Sequence, residues 1–427
     1  MTRAVLSFCL SVIPIPPGAA AQEALRTGSA LEFETAAPGP RIGTLETCPK
    51  FQDFRRAAAY PNAPSNLKAV TEVPADTLPL PEDDLDRAGL LAALKDTLNY
   101  WRSRPGQARV LIGGDAYTAA RMLDTTQKLI DIFSTRAAPE ELRELIKTGF
   151  RTYRSVADDN SGKVVITGYY EAEIKAVRRP DAVNRFPIYL RPPDLVKTTP
   201  EMGVDFDYGR VDGGGKLVKY YPRADISGGS LDGGSLELAW SDHPARIMLL
   251  QIQGSGILRF PDGDFIKVGF DGANGWPFKS VQRILIDCGE VPPMSFKDFI
   301  NYLSLQGERE RRLVDLNPRY IFFRSRPKDS PAYGAINAGL TPGRSVAVDP
   351  KSIPLGVTAL LSSTRPVAGP DGALSFRQFT RFVAAHDTGS AIRGPGRIDL
   401  FWGAGETAET EASSMKAEGD IYILVAR

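Results

Sequence analysis

Two aspartates, Asp387 and Asp399, bracket a Gly-rich turn in the stretch Arg381–Gly405 (RFVAAHDTGSAIRGPGRIDLFWGAG) and are the strongest candidates for chemistry in the chain. A carboxyl can give or take a proton, and two carboxyls in unequal surroundings can divide acid and base work. The apolar run Phe382–Ala385 predicts a strand leading into Asp387. Alternating Ile398, Leu400 and Trp402 predict a second strand that throws Asp399 onto the opposite face. An acid aimed away from its strand's apolar set invites a chemical use. Asp387-Thr388-Gly389 also suits a turn in which the Asp side chain caps backbone N–H groups, so the pair needs support from the rest of the chain.

Ala384-Ala385-His386-Asp387-Thr388-Gly389-Ser390 also matches the aspartic-protease signature, a chemistry that needs two such Asp residues sharing a proton. No second Asp-Thr/Ser-Gly occurs, and 427 residues is long for a protease built from two identical small subunits. The only histidines are His243 and His386, and no nucleophile-elbow pattern accompanies them. With so few His and no clustered Cys, a zinc site is not expected.

A chain of this length with 42% hydrophobic residues can bury a large core and divide into two or three domains. Its first residues read as a secretory leader: Arg3, the apolar run Ala4–Ile13, then Ala19-Ala20-Ala21, with cleavage expected after Ala21. Cys9 lies inside the apolar run behind Phe8, not at a cleavage point, so outer-membrane lipoprotein anchoring is not expected. Losing Arg3 takes the formal charge of +1 to about zero, which gives no electrostatic reason to bind nucleic acid or anionic lipid. Cys48 and Cys288 remain, and an oxidising compartment leaves their pairing open.

The elements that must position the acids follow from periodicity. Helices are predicted over Asp84–Arg104, over Asp115–Phe133, from Pro139 through Ile146 and over Ser295–Arg312, with residues 22–80 mostly loop until about Phe51–Ala59. From Asp158 onward the pattern changes to strands, beginning with Lys163–Tyr170. Ile247–Gly256 (IMLLQIQGSG) is predicted to be a strand with Gln251 and Gln253 on one face, and Gly213-Gly214-Gly215 a hairpin loop. Short strands over Tyr320–Arg324, Ser345–Asp349, Val357–Ser362, Arg377–Asp387, Arg397–Gly403 and Ile421–Ala426 argue for a small closed barrel. Glu171 with the two glutamines suits a polar groove. The Gly-rich loop Gly269–Phe278 adds Asn274 and Trp276; flat rings with amide side chains match the apolar face and hydroxyls of a sugar better than charge does.

An ordered series of motifs resembles one known family. It comprises Gly168-Tyr169-Tyr170-Glu171, Phe186-Pro187-Ile188-Tyr189, Gln251-Ile252-Gln253-Gly254-Ser255-Gly256, Asn274-Gly275 with Pro277, and Asn317-Pro318 with Tyr320, Phe322 and Phe323. Thr341-Pro342-Gly343-Arg344-Ser345, Asp349-Pro350 with Ile353-Pro354-Leu355-Gly356, and Asp387-Thr388-Gly389 through Asp399 complete it. Together they resemble the membrane-bound lytic murein transglycosylase A family over roughly residues 45–427. Ala172 stands where the family usually has Pro, His386 where Gln is usual, and Trp276 where His is common.

The resemblance implies a mainly β fold with several helices. Residues 45–165 and 295–427 would form a discontinuous double-psi β-barrel domain, and 166–294 an inserted β-rich domain across a groove. It implies non-hydrolytic cleavage of peptidoglycan between N-acetylmuramic acid and N-acetylglucosamine to give 1,6-anhydro ends, with no cofactor. Asp399 would be the acid and Asp387 its partner, with Tyr169, Tyr170, Glu171, Gln251, Gln253, Asn274 and Trp276 as substrate contacts. It further implies a monomer in the periplasm of a Gram-negative bacterium, acting on glycan strands, with wall-synthesis and division complexes as candidate partners. A non-catalytic expansin-like or barwin-like wall-binding protein and a plain hydrolase are the competing readings.

Overall fold

A computed structural model of the protein describes residues 48–51, 70–157, 162–369 and 373–427. The leader at 1–21 and nearly all of the element expected at Phe51–Ala59 lie outside them. Six strands close into a barrel in the order Lys416–Ala426, Thr358–Ala368, Leu374–Thr388, Ser345–Val348, Arg397–Ala404 and Val164–Lys175, which pairs back onto Lys416–Ala426. Closure removes the free sheet edges. The interior is filled by the alternating residues of these strands, including Ile166, Val346, Val348, Val383, Ile398, Leu400, Ile421 and Ile423. Each of these contributes on the order of 1.5–3 kcal/mol by leaving water.

Helices cover the barrel on one side. Arg87–Arg102 is capped by Asp86, whose side chain accepts from Gly89 N–H at 2.7 Å. Ala119–Ser134 and Pro139–Gly149 follow, the latter with Pro at its first position and Glu140 and Glu141 in its first turn. Leu90, Leu94, Leu129, Phe133 and Ile146 pack on Leu360, Phe382 and Leu424 of the barrel. The second helix starts later than its periodicity predicts. Asp115–Thr118 is a strand paired with Arg109–Ile112, because Gly113 and Gly114 both adopt positive φ and turn the chain into a hairpin.

The strand Val164–Lys175 is shared by two sheets. Its first half pairs with Arg397–Ala404, and from Ala172 it pairs in parallel with Ser255–Arg259. That strand pairs with Phe265–Ala273, which pairs with Ile321–Arg326. The strand at Ile321–Arg326, grouped with the barrel strands on sequence alone, therefore sits in the second sheet. The stretch expected as a strand from Ile247 is helical over Pro244–Gln253, with Pro at its first position and Gly254 ending it in a left-handed conformation. Seven of the ten residues of that helix are buried, so its run Ile247–Leu250 is continuously apolar and carries no period to separate helix from strand. Likewise Gly269–Ala273 belongs to a strand, bulged between Phe270 and Gly272, and not to a loop. The Gly213–Gly215 run does form a hairpin loop, with Asp212 accepting from Gly214 and Lys216 N–H.

Two nearly inaccessible arginines fasten the segment before the first covering helix to the barrel. Arg344 pairs with Asp83 and also donates to Phe382 O. Arg381 makes a two-pronged contact with Asp84 at 2.8 and 2.7 Å. Burial alone would raise the Asp84 carboxyl, but Arg381 and Arg365 hold it below its ordinary value. At the other end Cys48 and Cys288 form a disulfide with Cα atoms 5.9 Å apart, tying the segment 48–51 to the end of helix Val281–Asp287. Breaking a buried pair from one side strands the other charge. Arg381→Met is therefore expected to lower the urea unfolding free energy by about 3 kcal/mol, and adding Asp84→Asn should restore part of it; a loss below about 0.5 kcal/mol would show the pair to be idle.

Candidate active site

Asp387 and Asp399 stand on either side of one residue. In the pairing of Ser345–Val348 with its neighbours, Ala347 is the register partner of Asp387 on one side and of Asp399 on the other. Directly paired residues project to the same face of a sheet, so both carboxyls leave the barrel on the face opposite Ile398 and Leu400. The parallel pairing slips by one residue between Val346, which faces Ala385, and Ala347, which faces Asp387. Without that bulge at His386, Ala347 would face His386 and Asp387 would turn toward the filled interior.

His386 is fully buried and both ring nitrogens are engaged, Nε2 with Thr97 Oγ1 at 2.8 Å and Nδ1 with Ser345 Oγ at 3.0 Å. Thr97 donates its proton to Ala93 O, and Ser345 already accepts from Thr341 N–H. That network suits a neutral ring protonated on Nε2, and burial lowers the His386 pKa to about 4. The second histidine, His243, lies 3.0 Å from Glu310, which also accepts from Ala245 N–H at the start of the helix Pro244–Gln253. Neither histidine is placed to serve a nucleophile.

The two acids have unequal surroundings. Asp387 accepts from Thr388 N–H at 2.9 Å, Ala335 N–H at 3.1 Å and Tyr169 O–H at 3.1 Å. Burial raises it to about 6 against those donors, with the Asp399 charge adding to the rise. Asp399 Oδ1 is buried with no hydrogen-bond partner. Burial raises Asp399 to about 6 as well, opposed by the Thr167 hydroxyl and the Arg397 charge. An apolar cluster of Tyr169, Ala332, Leu340, Ala347, Ile392 and Phe401 supplies the low-dielectric setting.

Alternation along Val164–Lys175 explains which expected residues join the pair. Thr167 is the register partner of Asp399 and Tyr169 that of Phe401, so Thr167, Tyr169 and Glu171 share the acid face. Glu171 is buried and pairs with Lys267 at 3.3 Å. Tyr170 points to the other side, into a helical core, where its hydroxyl donates to Glu409 at 3.1 Å. Gly168 permits that packing, because a Cβ there would fall 2.8 Å from Ala412 Cα on the helix Glu406–Ser414.

The other expected contacts spend their polar atoms on the fold. On a helix Gln251 and Gln253 do not share a face. Gln251 is buried against Arg223 and donates to Ile321 O at 3.1 Å, while Gln253 accepts from Tyr170 N–H at 3.0 Å. Asn274 is fully buried, donates to Tyr221 O and Pro318 O, and accepts from Tyr320 N–H. Trp276 Nε1 donates to Tyr220 O at 2.8 Å beneath Lys219. Sequence reasoning passed over Thr167, Ala347, Phe401 and Ala335 N–H. It also passed over Tyr333, 39% exposed and two residues from Ala335, whose ring carries the Arg326 guanidinium over it at 4.7 Å. A hollow of about 820 Å³ walled by Arg185, Tyr189, Arg223, Arg311 and Tyr320 shares no residue with this site. The carboxyls, not cavity size, locate the chemistry.

A closed barrel carrying two half-buried carboxyls of unequal environment, with a second sheet growing from the strand beside them, defines an acid–base site on a barrel-and-insert fold. The MltA specific insert domain matches residues 165–324 and the 3D domain residues 344–425. The chain belongs to the MltA family. It is 29% identical to the membrane-bound lytic murein transglycosylase A of Vibrio cholerae over 66% of this chain and 70% of that protein, and 29% identical to the Escherichia coli K12 protein of that name over 66% and 72%. Among solved structures it is similar to the membrane-bound lytic murein transglycosylase of Agrobacterium tumefaciens, with TM-score 0.69 and 29% identity over 84% of this chain and 98% of that one. E. coli MltA with bound chitohexaose shares the fold at TM-score 0.62 and 24% identity, covering 84% and 94%.

Two stability predictions follow from the sign of the shifts. The folded Asp399 carboxyl holds its proton more tightly than the unfolded one, so its charge costs stability above pH 6 and that cost disappears as pH falls toward 4. Asp399→Asn should therefore stabilise the fold at pH 7.5 by roughly 1–2 kcal/mol, with the gain gone near pH 4. His386 has the opposite sign: its lowered pKa removes stability as pH falls from about 6.5 to about 4. His386→Gln should flatten that part of the stability–pH curve, measured by urea unfolding, and an unchanged curve would refute the assignment.

Proposed function

We propose that the chain is a lytic transglycosylase that cleaves the β-1,4 bond between N-acetylmuramic acid and N-acetylglucosamine in peptidoglycan, with Asp399 as its acid. The observation that carries this reading is the lone, buried, unpartnered oxygen of Asp399 beside a second carboxyl that is already satisfied by three donors. A glycosidic oxygen leaves poorly as an alkoxide and needs a proton. Burial keeps Asp399 protonated up to about pH 6, so it can deliver one.

A hydrolase would next need a carboxylate to activate water or to attack C1. Here the substrate's own C6 hydroxyl attacks C1, the C1–O4 bond breaks, O4 leaves with the Asp399 proton, and the resulting Asp399 carboxylate takes the C6 hydroxyl proton. No water is consumed, and the acid ends as it began. Asp387, held as a carboxylate, supports the positive charge that develops near C1. Membership of the family and the glycan held by the E. coli relative support this substrate class.

We infer a division of labour in which the barrel carries both acids and the body inserted from about residue 166 forms the opposite wall of a groove. Tyr333, with Arg326 against one side of its ring, is our first choice for an aromatic that offers its other side to a sugar. Placement in the periplasm is supported by the leader-like N-terminus and by a disulfide, which persists in oxidising compartments. The relatives are named membrane-bound; among the described residues no helix is long and apolar enough to cross a membrane.

Mass spectrometry of sacculi digested by the purified protein tests the reaction: each new muramic end should be one water lighter than a hydrolysis product. Reducing ends would indicate a hydrolase, and retained binding with no soluble product a wall-binding protein. Asp399→Asn should fold and lose at least about a hundredfold in rate. The wild-type rate should fall about tenfold per pH unit above about 6, as the acid ionises; a rate rising through pH 8 would rule out Asp399 as the proton donor.

A further inference from the structure

Tyr169 reaches across the site. It lies on the strand Val164–Lys175, one strand beyond Asp399, yet its hydroxyl donates to Asp387 Oδ2 at 3.1 Å. Its ring packs on Phe401 with centroids 5.2 Å apart and shares the apolar cluster with Ala347, the residue flanked by both acids. Burial first, then the charges of Asp387 and Asp399, raise the Tyr169 phenol well above its ordinary value, so it remains a donor at every working pH. The side chain thus has its polar end committed to a carboxyl and its body buried, which leaves little of it for a sugar.

Donors to a carboxylate favour its ionised form. Among the described residues, two of the three donors on Asp387 are backbone N–H groups and Tyr169 supplies the side-chain one. On the other acid, Thr167 and Arg397 also favour ionisation. Glu171, next along the face from Tyr169, is neutralised by Lys267 at 3.3 Å, and the strand between the acids contributes only Ala347. Tyr169 is thus the side-chain donor through which the fold favours the Asp387 carboxylate.

We propose that Tyr169 is a positioning residue for the acid pair, whose hydroxyl holds Asp387 as the carboxylate and so leaves the transferable proton on Asp399. Its consequence for rate rests on the lytic reading above, whereas the placement of the proton does not. Tyr169→Phe keeps the ring and its contact with Phe401 while deleting one donor.

The test is a carboxyl-carbon NMR titration of the full chain, alongside pH–rate profiles on sacculi. In Tyr169→Phe the Asp387 titration should move up by about one pH unit, and the acid limb of kcat should move up with it while KM stays within twofold. Phe401→Leu, which loosens the ring but keeps the hydroxyl, should lower the rate at all pH values without moving the limb. If Tyr169→Phe does not fold, 3-fluorotyrosine placed at residue 169 as a stronger donor should move the Asp387 titration down. An unmoved Asp387 titration, or a raised KM with an unmoved limb, would overturn the proposal and return Tyr169 to a sugar contact. A shifted titration in a protein that yields no anhydro product would leave the proton placement standing and remove the lytic reading.

Discussion

Between Val346 and Ala347 the chain pairs out of step with its neighbour by one residue, and that extra residue is His386. A bulge must be held, since it costs a ladder position and bends the strand. Here the side chain in the bulge is locked on both edges, by Thr97 from a covering helix and by Ser345 from the facing strand. The covering helix is in turn fastened through Asp83 and Asp84 to Arg344 and Arg381, which flank the same strands. Helix, bulge and acid therefore form one mechanical unit, and the orientation of Asp387 depends on contacts well away from its carboxyl.

The electrostatics follow from that geometry. A closed barrel cannot admit two charges into its filled interior, so both acids must leave on the outer face, where an apolar cluster flanks them. Burial raises both carboxyls to about 6, and the two differ in their partners: two backbone N–H groups and a phenol on Asp387, the Thr167 hydroxyl and the Arg397 charge on Asp399. Backbone N–H groups and a phenol are neutral donors, so they favour a carboxylate without placing a full positive charge beside the substrate. A lysine or arginine in the same place would hold Asp387 more firmly, but its field would also draw Asp399 toward ionisation.

Much of this was legible in the residues, and the failures have physical causes. Asp399 could be assigned to the outer face because Ile398 and Leu400 alternate around it, a period of two that only a half-buried strand produces. The covering helices were visible from their leucine stripes and from Pro139. The site's partners were less accessible. Nothing in the order of residues reveals a bulge, so the facing of Asp387 could not be read. Ala335 acts through a backbone N–H, which has no sequence signature. Gln251 and Gln253 do not share a face as expected, because the continuous apolar run before them hides the helical period, and the Asn274 amide braces four backbone groups. A polar residue in a recurring motif marks a constraint, and burial decides whether that constraint is on the ligand or on the fold.

The strand Val164–Lys175 gives the two bodies a common backbone, and the acid site sits where it changes partners. Up to Glu171 it pairs with the Asp399 strand, and from Ala172 with Ser255–Arg259. A hinge at that point would break ladder hydrogen bonds on one side or the other, so the barrel and the second sheet are joined by continuous sheet and not by a flexible linker. Tyr169 and Glu171 lie just before the change, one bound to an acid of the barrel and the other to Lys267 of the second sheet. The phenol that donates to Asp387 and the carboxylate that pairs with Lys267 therefore sit two residues apart on one face of the strand that joins the two sheets.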